Sequence, residues 1–316
     1  MEYNKFIEDL NTGDEIEGFY ILKSAVSRVS SSGKPFLAAV LADRTGSIEA
    51  KVWDYGGPVG SANEGSVIKI RGTVSEFRGA LQITVSRIRT VQNADHYQLD
   101  SLVPVAPIDA EAAGQELREF IGSIEDPDYR GICQKMLDRY WEQFYILPGG
   151  KSMHHSFLHG LLMHTLNMVR TAGFLAQLYE EVIDRSLLVA GTFLHDFAKC
   201  SEFVVSPLGL VTDYSIKGQL LGHLVMGAQE AAEIAKELEV PEEKSVLLQH
   251  LLLSHHGEPE FGAAVRPQCA ESELLALIDL IDSRMEIYAE TLGGMEPGQF
   301  SKRVFALDKK IYKHFS

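Results

Sequence analysis

Residues 187–200 read LLVAGTFLHDFAKC, an almost wholly apolar run interrupted by His195, Asp196 and Lys199. An imidazole and a carboxylate side by side on a buried helix, here predicted over Ser186–Cys200, are costly to desolvate unless a cation compensates them. A divalent metal ion does so best. Neighbouring helical residues diverge by about 100°, yet both side chains can bend toward one ion at the helix edge. Lys199 falls a turn further on, on the same face. It can hold a phosphate as a point charge, although a helix-end lysine that complements the macrodipole has the same signature.

Outward from this stretch, further candidate ligands stand on other apolar helices. Phe157, Leu161, His164 and Met168 recur with helical spacing, which places His164 on a buried stripe. A histidine there is often just a hydrogen-bonded core residue. His223 lies in the first turns of a helix predicted over Gln219–Leu238, which ends before Pro241. The leucine-rich helix after Pro241 closes on Ser254-His255-His256-Gly257, where Gly257 can turn the chain and present two imidazoles together. His250, earlier on that helix, reads as structural. The helix Glu271–Glu290 carries Asp279 and Asp282 one turn apart among Leu274, Leu275, Ile278 and Ile281. Two acids cannot both be buried uncompensated, so one is expected at the metal and the other at a cation or a helix end. Helices over Asp109–Ile124 and Pro127–Tyr145 are amphipathic and carry no assigned chemistry, and Gly209–Ser215 reads as a short exposed hairpin or loop. The ordered set H…HD…H…HH…D on apolar helices points to a metal-dependent hydrolase.

Before these helices the pattern is different. Between Gly13 and Val91, turn residues separate five strand-like runs: Glu15–Ser27, Pro35–Ala42, Ser47–Trp53, Ser66–Val74 and Ala80–Val91. Five short strands suit a small barrel. Alternation puts Ile48, Ala50 and Val52 on one face and Glu49, Lys51 and Trp53 on the other, while Ile68 and Ile70 alternate with Lys69 and Arg71. Lys51, Trp53, Lys69 and Arg71 would make a surface that tracks phosphates and stacks bases without reading sequence. A merely solvated outer face, with Trp53 filling a barrel end, gives the same pattern. The stretch after the last strand has two prolines and no sustained period. The chain is therefore divided into a barrel domain (1–92), a linker (93–108) and a helical domain (109–316).

A chain of 316 residues accommodates two domains, and 45% hydrophobic with 23% charged residues is ordinary for a globular protein. The net charge of −15 would argue against a nucleic-acid partner, but Lys23–Arg89 alone carries +5, which leaves −20 for the remainder. Three cysteines without a CxxC spacing exclude a disulfide framework and a zinc knuckle, and they read as buried thiols in a reducing compartment. The start, MEYNKFIEDL, lacks a basic region followed by an apolar run, and no apolar stretch has membrane-spanning length. A cytoplasmic protein with no membrane partner is expected.

The run GKPFLAAVLADRTGSIEAKVWD, residues 33–54, resembles an OB-fold of the nucleic-acid-binding type, a likeness covering roughly residues 13–92. The segments HHSFLHGLLMHTLNM, LLVAGTFLHDFAKC, GQLLGHLVMG, LLLSHHGEPEFG and LALIDLID resemble the HD superfamily of metal-dependent phosphohydrolases. With the OB-like domain ahead of them they resemble the YhaM-type 3′-to-5′ exoribonucleases over nearly the whole chain. The fold implied is a five-stranded OB barrel followed by an HD-type helical bundle. The resemblance implies that His164, His195, Asp196 and Asp279 hold one metal and that Asp196, His223, His255 and His256 hold a second, with Asp196 shared. Asp279 matches the first acid of the family's Asp-x-x-Asp, and Asp282 is the alternative. His154 and His155 match a pair that would contact substrate. His159 stands where the family tends to have a small residue.

The implied reaction is hydrolysis of phosphodiesters in single-stranded RNA, with single-stranded DNA as a further candidate, by a homo-oligomer using two divalent ions. Histidine and carboxylate donors without thiolate suit Mn²⁺, which the resemblance favours, and also Fe²⁺, Ni²⁺, Co²⁺ or Mg²⁺. Asp196 and Lys199 would be catalytic, Lys199 by clamping a non-bridging oxygen. Two rivals remain. One keeps the site for a nucleotide or cyclic dinucleotide, although Gly-Glu-Pro-Glu-Phe-Gly after the doublet differs from the Gly-Tyr-Pro of the cyclic-dinucleotide branch. The other is a non-catalytic single-strand-binding protein in which metals only stabilise the fold.

Overall fold

A computed structural model describes residues 2–150, 157–206 and 208–315. The chain separates into two compact units, Met1–Val105 with Val205–Thr212, and Ala106–Val204 with Asp213–Ser316.

The first unit is built on β1 (Glu2–Tyr3), β2 (Glu15–Val29), β3 (Pro35–Asp43), β4 (Gly46–Trp53), β5 (Val67–Phe77) and β6 (Ala80–Thr90). The sheet order β1-β2-β3-β4-β6-β5 is closed by pairing of β2 with β5, so β2 to β6 form a five-stranded barrel. The short β1, which the alternation pattern does not predict, adds in parallel to β2. β2 serves two partners, β5 through Glu15–Ile21 and β3 through Ile21–Val29, and its register shifts between Leu22 and Ser24 as the strand bends from one to the other. The alternation read from the sequence holds: Ile48, Ala50, Val52, Ile68 and Ile70 are buried in the barrel core beside Leu37, Leu41 and Ile83. Trp53 does not plug the barrel. It is 50% exposed and packs on Phe36 with ring centroids 4.9 Å apart.

The remaining elements are α1 (Ala110–Gly122), α2 (Pro127–Ile146), α3 (Gly160–Leu178), α4 (Arg185–Leu194), α5 (Lys199–Glu202), β7 (Phe203–Val205), β8 (Val211–Tyr214), α6 (Ile216–Glu237), α7 (Glu242–Ser254) and α8 (Ala270–Gly293). The starts of α1 and α2 follow from their caps. The Asp109 carboxylate accepts from the Glu111 and Ala112 amides, and Asp126 accepts from those of Asp128 and Tyr129, with Pro127 opening the helix. β7 pairs with β8, so the hairpin begins earlier than the expected Gly209–Ser215, and only β8 falls within that range.

Two helices differ from expectation. The single helix predicted over Ser186–Cys200 is two: α4 stops at Leu194, His195 to Ala198 form a turn, and the one-turn α5 follows. The predicted helix Gln219–Leu238 begins earlier, at Ile216, and is broken at Gly222 with φ 72° and ψ 161°, a conformation essentially restricted to glycine. Both breaks fall beside candidate ligands.

Phe144, Phe193 and Phe197 lie under the first break, with Phe197 stacked on Phe144 at 4.5 Å. Cys133 is buried, Cys200 and Cys269 are partly so, and all three are free. Burial pushes the Cys133 and Cys200 thiols above their ordinary range. Among the described residues, no helix is long and apolar enough to cross a membrane.

Candidate metal centre and nucleic-acid interface

His164 comes from the buried face of α3, His195 and Asp196 from the turn after α4, His223 from just past the break in α6, His255 and His256 from the end of α7, and Asp279 from α8. The fold brings all seven together. In each of two triads, His164/His195/Asp196 and His223/His255/His256, one donor atom per residue lies within 4.8 Å of the others.

Asp196, a member of the first triad, also reaches toward the second. Its Oδ2 is 3.3 Å from His195 Nε2 and 3.8 Å from His164 Nε2, while its Oδ1 is 3.3 Å from His223 Nε2 and 3.9 Å from His255 Nε2. Asp279 Oδ1 is 3.5 Å from His164 Nε2.

The outer ring nitrogens explain the orientation of the inner ones. His195 Nδ1 donates to the Thr192 carbonyl at 2.7 Å and His255 Nδ1 donates to that of Leu252 at 2.9 Å. His164 Nδ1 donates to Asp282 Oδ2 at 2.7 Å, and His223 Nδ1 lies 3.2 Å from Glu202 Oε1. Each contact fixes a tautomer and aims the Nε2 lone pair at the cluster.

The inner nitrogens of His164 and His195 then face each other at 3.2 Å. Among the described residues, Asp196 Oδ1, His223 Nε2, His255 Nε2 and His256 Nδ1 are buried with no hydrogen-bond partner. Buried polar atoms are rarely left so. Convergent lone pairs on nitrogen and carboxylate oxygen are the donor set of a borderline or hard divalent cation, and the cluster fits one.

Burial acts to raise the Asp196 carboxyl, but Lys199 and His195 outweigh it and hold the group well below the carboxylate range. Burial, with His195 and His256 alongside, pushes His255 well below the usual histidine value, so it stays neutral with its lone pair available. Lys199 Nζ donates to Asp196 Oδ2 at 2.6 Å and to the Gly149 carbonyl at 2.8 Å. It lines a cleft of about 430 Å³ together with His164, Asp196, His255, His256 and Asp279.

The two acids of α8 take different places. Asp279 is on the Nε2 side of His164, facing the cluster, and Asp282 is on the Nδ1 side. Asp282 thus supports the His164 ring from its outer side, while Asp279 faces the cluster. Glu202 was not anticipated. It holds both the ring of His223 and its main-chain amide, the latter at 3.0 Å, so it caps the helical segment that follows Gly222. The only sequence signal was Gly222 beside a histidine. His250 is structural, accepting from the Gln268 amide at 2.9 Å. His159 donates to the Tyr145 carbonyl at 2.6 Å. His154 and His155 lie outside the described residues.

Asp282→Asn and Glu202→Gln each leave the ligands in place but loosen one ring. Metal affinity is expected to fall about 10–100-fold in each variant. Titration with Mn²⁺ checks this, and wild-type affinity in both would remove the orienting role.

On the barrel, Lys51 and Trp53 lie on β4 and Lys69 and Arg71 on β5, with β6 between. Lys51 Nζ sits 4.8 Å from the Phe77 ring centre and 6.0 Å from that of Trp53. Lys69 and Arg71 are joined across the ladder by Arg89 and Arg87, which the sequence reading passed over although they flank Ile88 in the same alternation. These four cations, with Glu17 and Tyr55, line a cleft of about 480 Å³. Lys69 is paired with Glu17 at 3.0 Å and Arg89 with Asp95 at 2.6 Å. Arg71 and Arg87 have no carboxylate within ion-pairing distance among the described residues.

Comparison with known proteins matches residues 20–91 to the OB-fold nucleic acid binding domain and residues 161–284 to the HD domain. The chain is 36% identical over 303 residues to the 3′-5′ exoribonuclease YhaM of Oceanobacillus iheyensis, covering 95% of this chain and 94% of that one. It is 36% identical over 310 residues to that of Shouchella clausii, covering 98% and 96%. It belongs to the YhaM family of 3′-5′ exoribonucleases. The YhaM protein of Listeria monocytogenes is 35% identical over 310 residues, covering 98% of this chain and 97% of its own. Membership of the YhaM family accounts for an OB barrel and an HD domain in one chain, and the buried histidine and aspartate cluster lies within the matched HD segment.

Proposed function

We propose that this chain is a 3′-to-5′ exoribonuclease that hydrolyses single-stranded RNA with two divalent ions, Mn²⁺ in the first place. The observation that carries the proposal is Asp196, whose carboxylate oxygens are directed one to His195 and the other to His223, amid buried donor atoms with no hydrogen-bond partner among the described residues. His164, His195 and Asp279 would complete one site with Asp196, and His223, His255 and His256 the other. Bound divalent ions supply Lewis-acid activation of water and neutralise charge on the scissile phosphate.

The protein's own groups do the rest. Asp282, Glu202 and the Thr192 and Leu252 carbonyls keep the imidazoles in the donor tautomer. The Lys199 ammonium, anchored to Asp196 and the Gly149 carbonyl, keeps one N–H for a phosphoryl oxygen in the cleft. Lys51, Trp53, Lys69 and Arg71, joined by Arg87 and Arg89, hold the strand without reading its bases. Residues 1–92 would bind, 93–108 would link and 109–316 would cleave. The proposal extends to single-stranded DNA as a second substrate, to a homo-oligomer and to a cytoplasmic location.

RNA labelled at the 3′ or the 5′ end, incubated with the protein and Mn²⁺, decides the polarity. Early release of label as mononucleotide from the 3′ end alone supports the proposal, and internal fragments or release from the 5′ end exclude it. Arg71→Glu with Arg87→Glu is expected to weaken binding of single-stranded RNA at least about tenfold and to flatten its logarithmic salt dependence by about 0.7 per lost phosphate contact. Hydrolysis of a small phosphodiester should be unchanged. RNA affinity equal to wild type at all salt concentrations would remove the barrel cleft from the binding path.

A further inference from the structure

The metal cleft is not wholly polar. Phe261 lines it and is 73% exposed, a large ring left open to solvent beside the ligand pair His255 and His256. The remaining apolar lining is Ala276 and Leu280 of α8. The ring is mounted on a short 3-10 turn, Pro259–Phe261, whose first residue is a φ-restricted proline. The Phe261 amide donates to the Glu258 carbonyl at 2.9 Å, the Gly262 amide to that of Pro259 at 3.0 Å, and the Ala264 amide to that of Leu253 on α7 at 3.0 Å. Gly262 takes φ 102°, and a side chain there would come within 3.2 Å of His256 Nδ1. The turn is therefore set against the cluster by its backbone, while its aromatic ring contributes nothing to the buried core.

We infer that Phe261 stacks on the base of the 3′-terminal nucleotide and so places the adjoining phosphodiester over the cluster. This rests on the exoribonuclease proposed above and names how it holds its substrate. Stacking uses the π-face that every base has, so the contact serves all four nucleotides, as degradation of arbitrary RNA demands. A ring held in advance on an anchored turn loses little freedom on binding. The cleft's 430 Å³ is of the size that takes a small organic ligand.

Phe261→Ala is expected to lower kcat/KM on RNA about 10–100-fold, while Phe261→Trp stays close to wild type. On an oligonucleotide whose 3′-terminal residue is abasic, the wild-type enzyme should lose a similar factor and Phe261→Ala should add little to it. Calorimetric binding of AMP and CMP, which needs no hydrolysis, should weaken in Phe261→Ala by a comparable factor. Equal rates on ordinary ends together with equal nucleotide affinity in wild type and Phe261→Ala would overturn the stacking role. Nucleotide affinity that depends on Phe261, in a protein that frees no mononucleotide from RNA, would uphold stacking and remove the exoribonuclease proposal instead.

Discussion

Asp196→Ala and Asp196→Asn are expected to abolish RNA hydrolysis, with a loss of at least about a thousandfold, because metal-ion catalysis supplies several kcal/mol of transition-state stabilisation. Asp196 sets one oxygen beside His195 and the other beside His223, so both proposed ion sites lose a ligand at once. The alanine variant also takes the carboxylate from the partly buried Lys199 ammonium, which lowers stability as well as activity. The asparagine variant separates the two effects, since it keeps the shape and an acceptor oxygen for Lys199. Bound metal should drop in both, and chelation of the wild type should mimic them until Mn²⁺ is restored. A folded Asp196→Asn that degrades RNA at the wild-type rate would rule out the assigned centre.

Phe197→Ala is expected to cost about 3–5 kcal/mol of stability, the range for deleting a buried aromatic ring. Phe197 is 1% exposed, stacks on Phe144 and contacts Phe193 at 4.9 Å and Tyr140 at 6.3 Å between ring centres. It is also the residue after Asp196. Its ring pins the turn that carries His195 and Asp196, so its loss should loosen metal binding as well as packing. Calorimetry should show the helical unit melting on the order of 10 °C lower, with the barrel transition unmoved. A shift below about 2 °C would mean that the neighbouring rings close the gap and the turn does not depend on this one.

Much of this organisation is legible in the sequence, because alternation in β4 and β5 and helical spacing around His164 are local properties of the chain. The seven proposed ligands were legible through chemical unlikelihood: imidazoles and carboxylates inside apolar helices need a reason. What was not legible lies in contacts between distant residues. LLVAGTFLHDFAKC has no proline, and its one glycine lies well before the break, so a continuous helix was the natural expectation. The turn that replaces it is packed from below by Phe144, whose ring stacks on that of Phe197 from more than fifty residues earlier. Asp279 and Asp282 are equivalent in helical phase to within one turn, and only the ring of His164 tells them apart. Glu202 lies 21 residues from His223, and no periodicity links them. Which barrel cations are free for phosphate depends on where Glu17 and Asp95 fall in space.

The four imidazoles whose outer nitrogens are accounted for are steadied in two different ways, and the difference bears on which of them can drift. His195 and His255 each lean on the carbonyl three residues earlier in their own chain, an atom that no amino-acid replacement can delete. His164 and His223 lean on the carboxylates of Asp282 and Glu202, which a single base change could erase. Random mutation should therefore damage the centre from its side-chain-supported half first, with Asp282 and Glu202 as fragile points that a search for metal ligands alone would pass over.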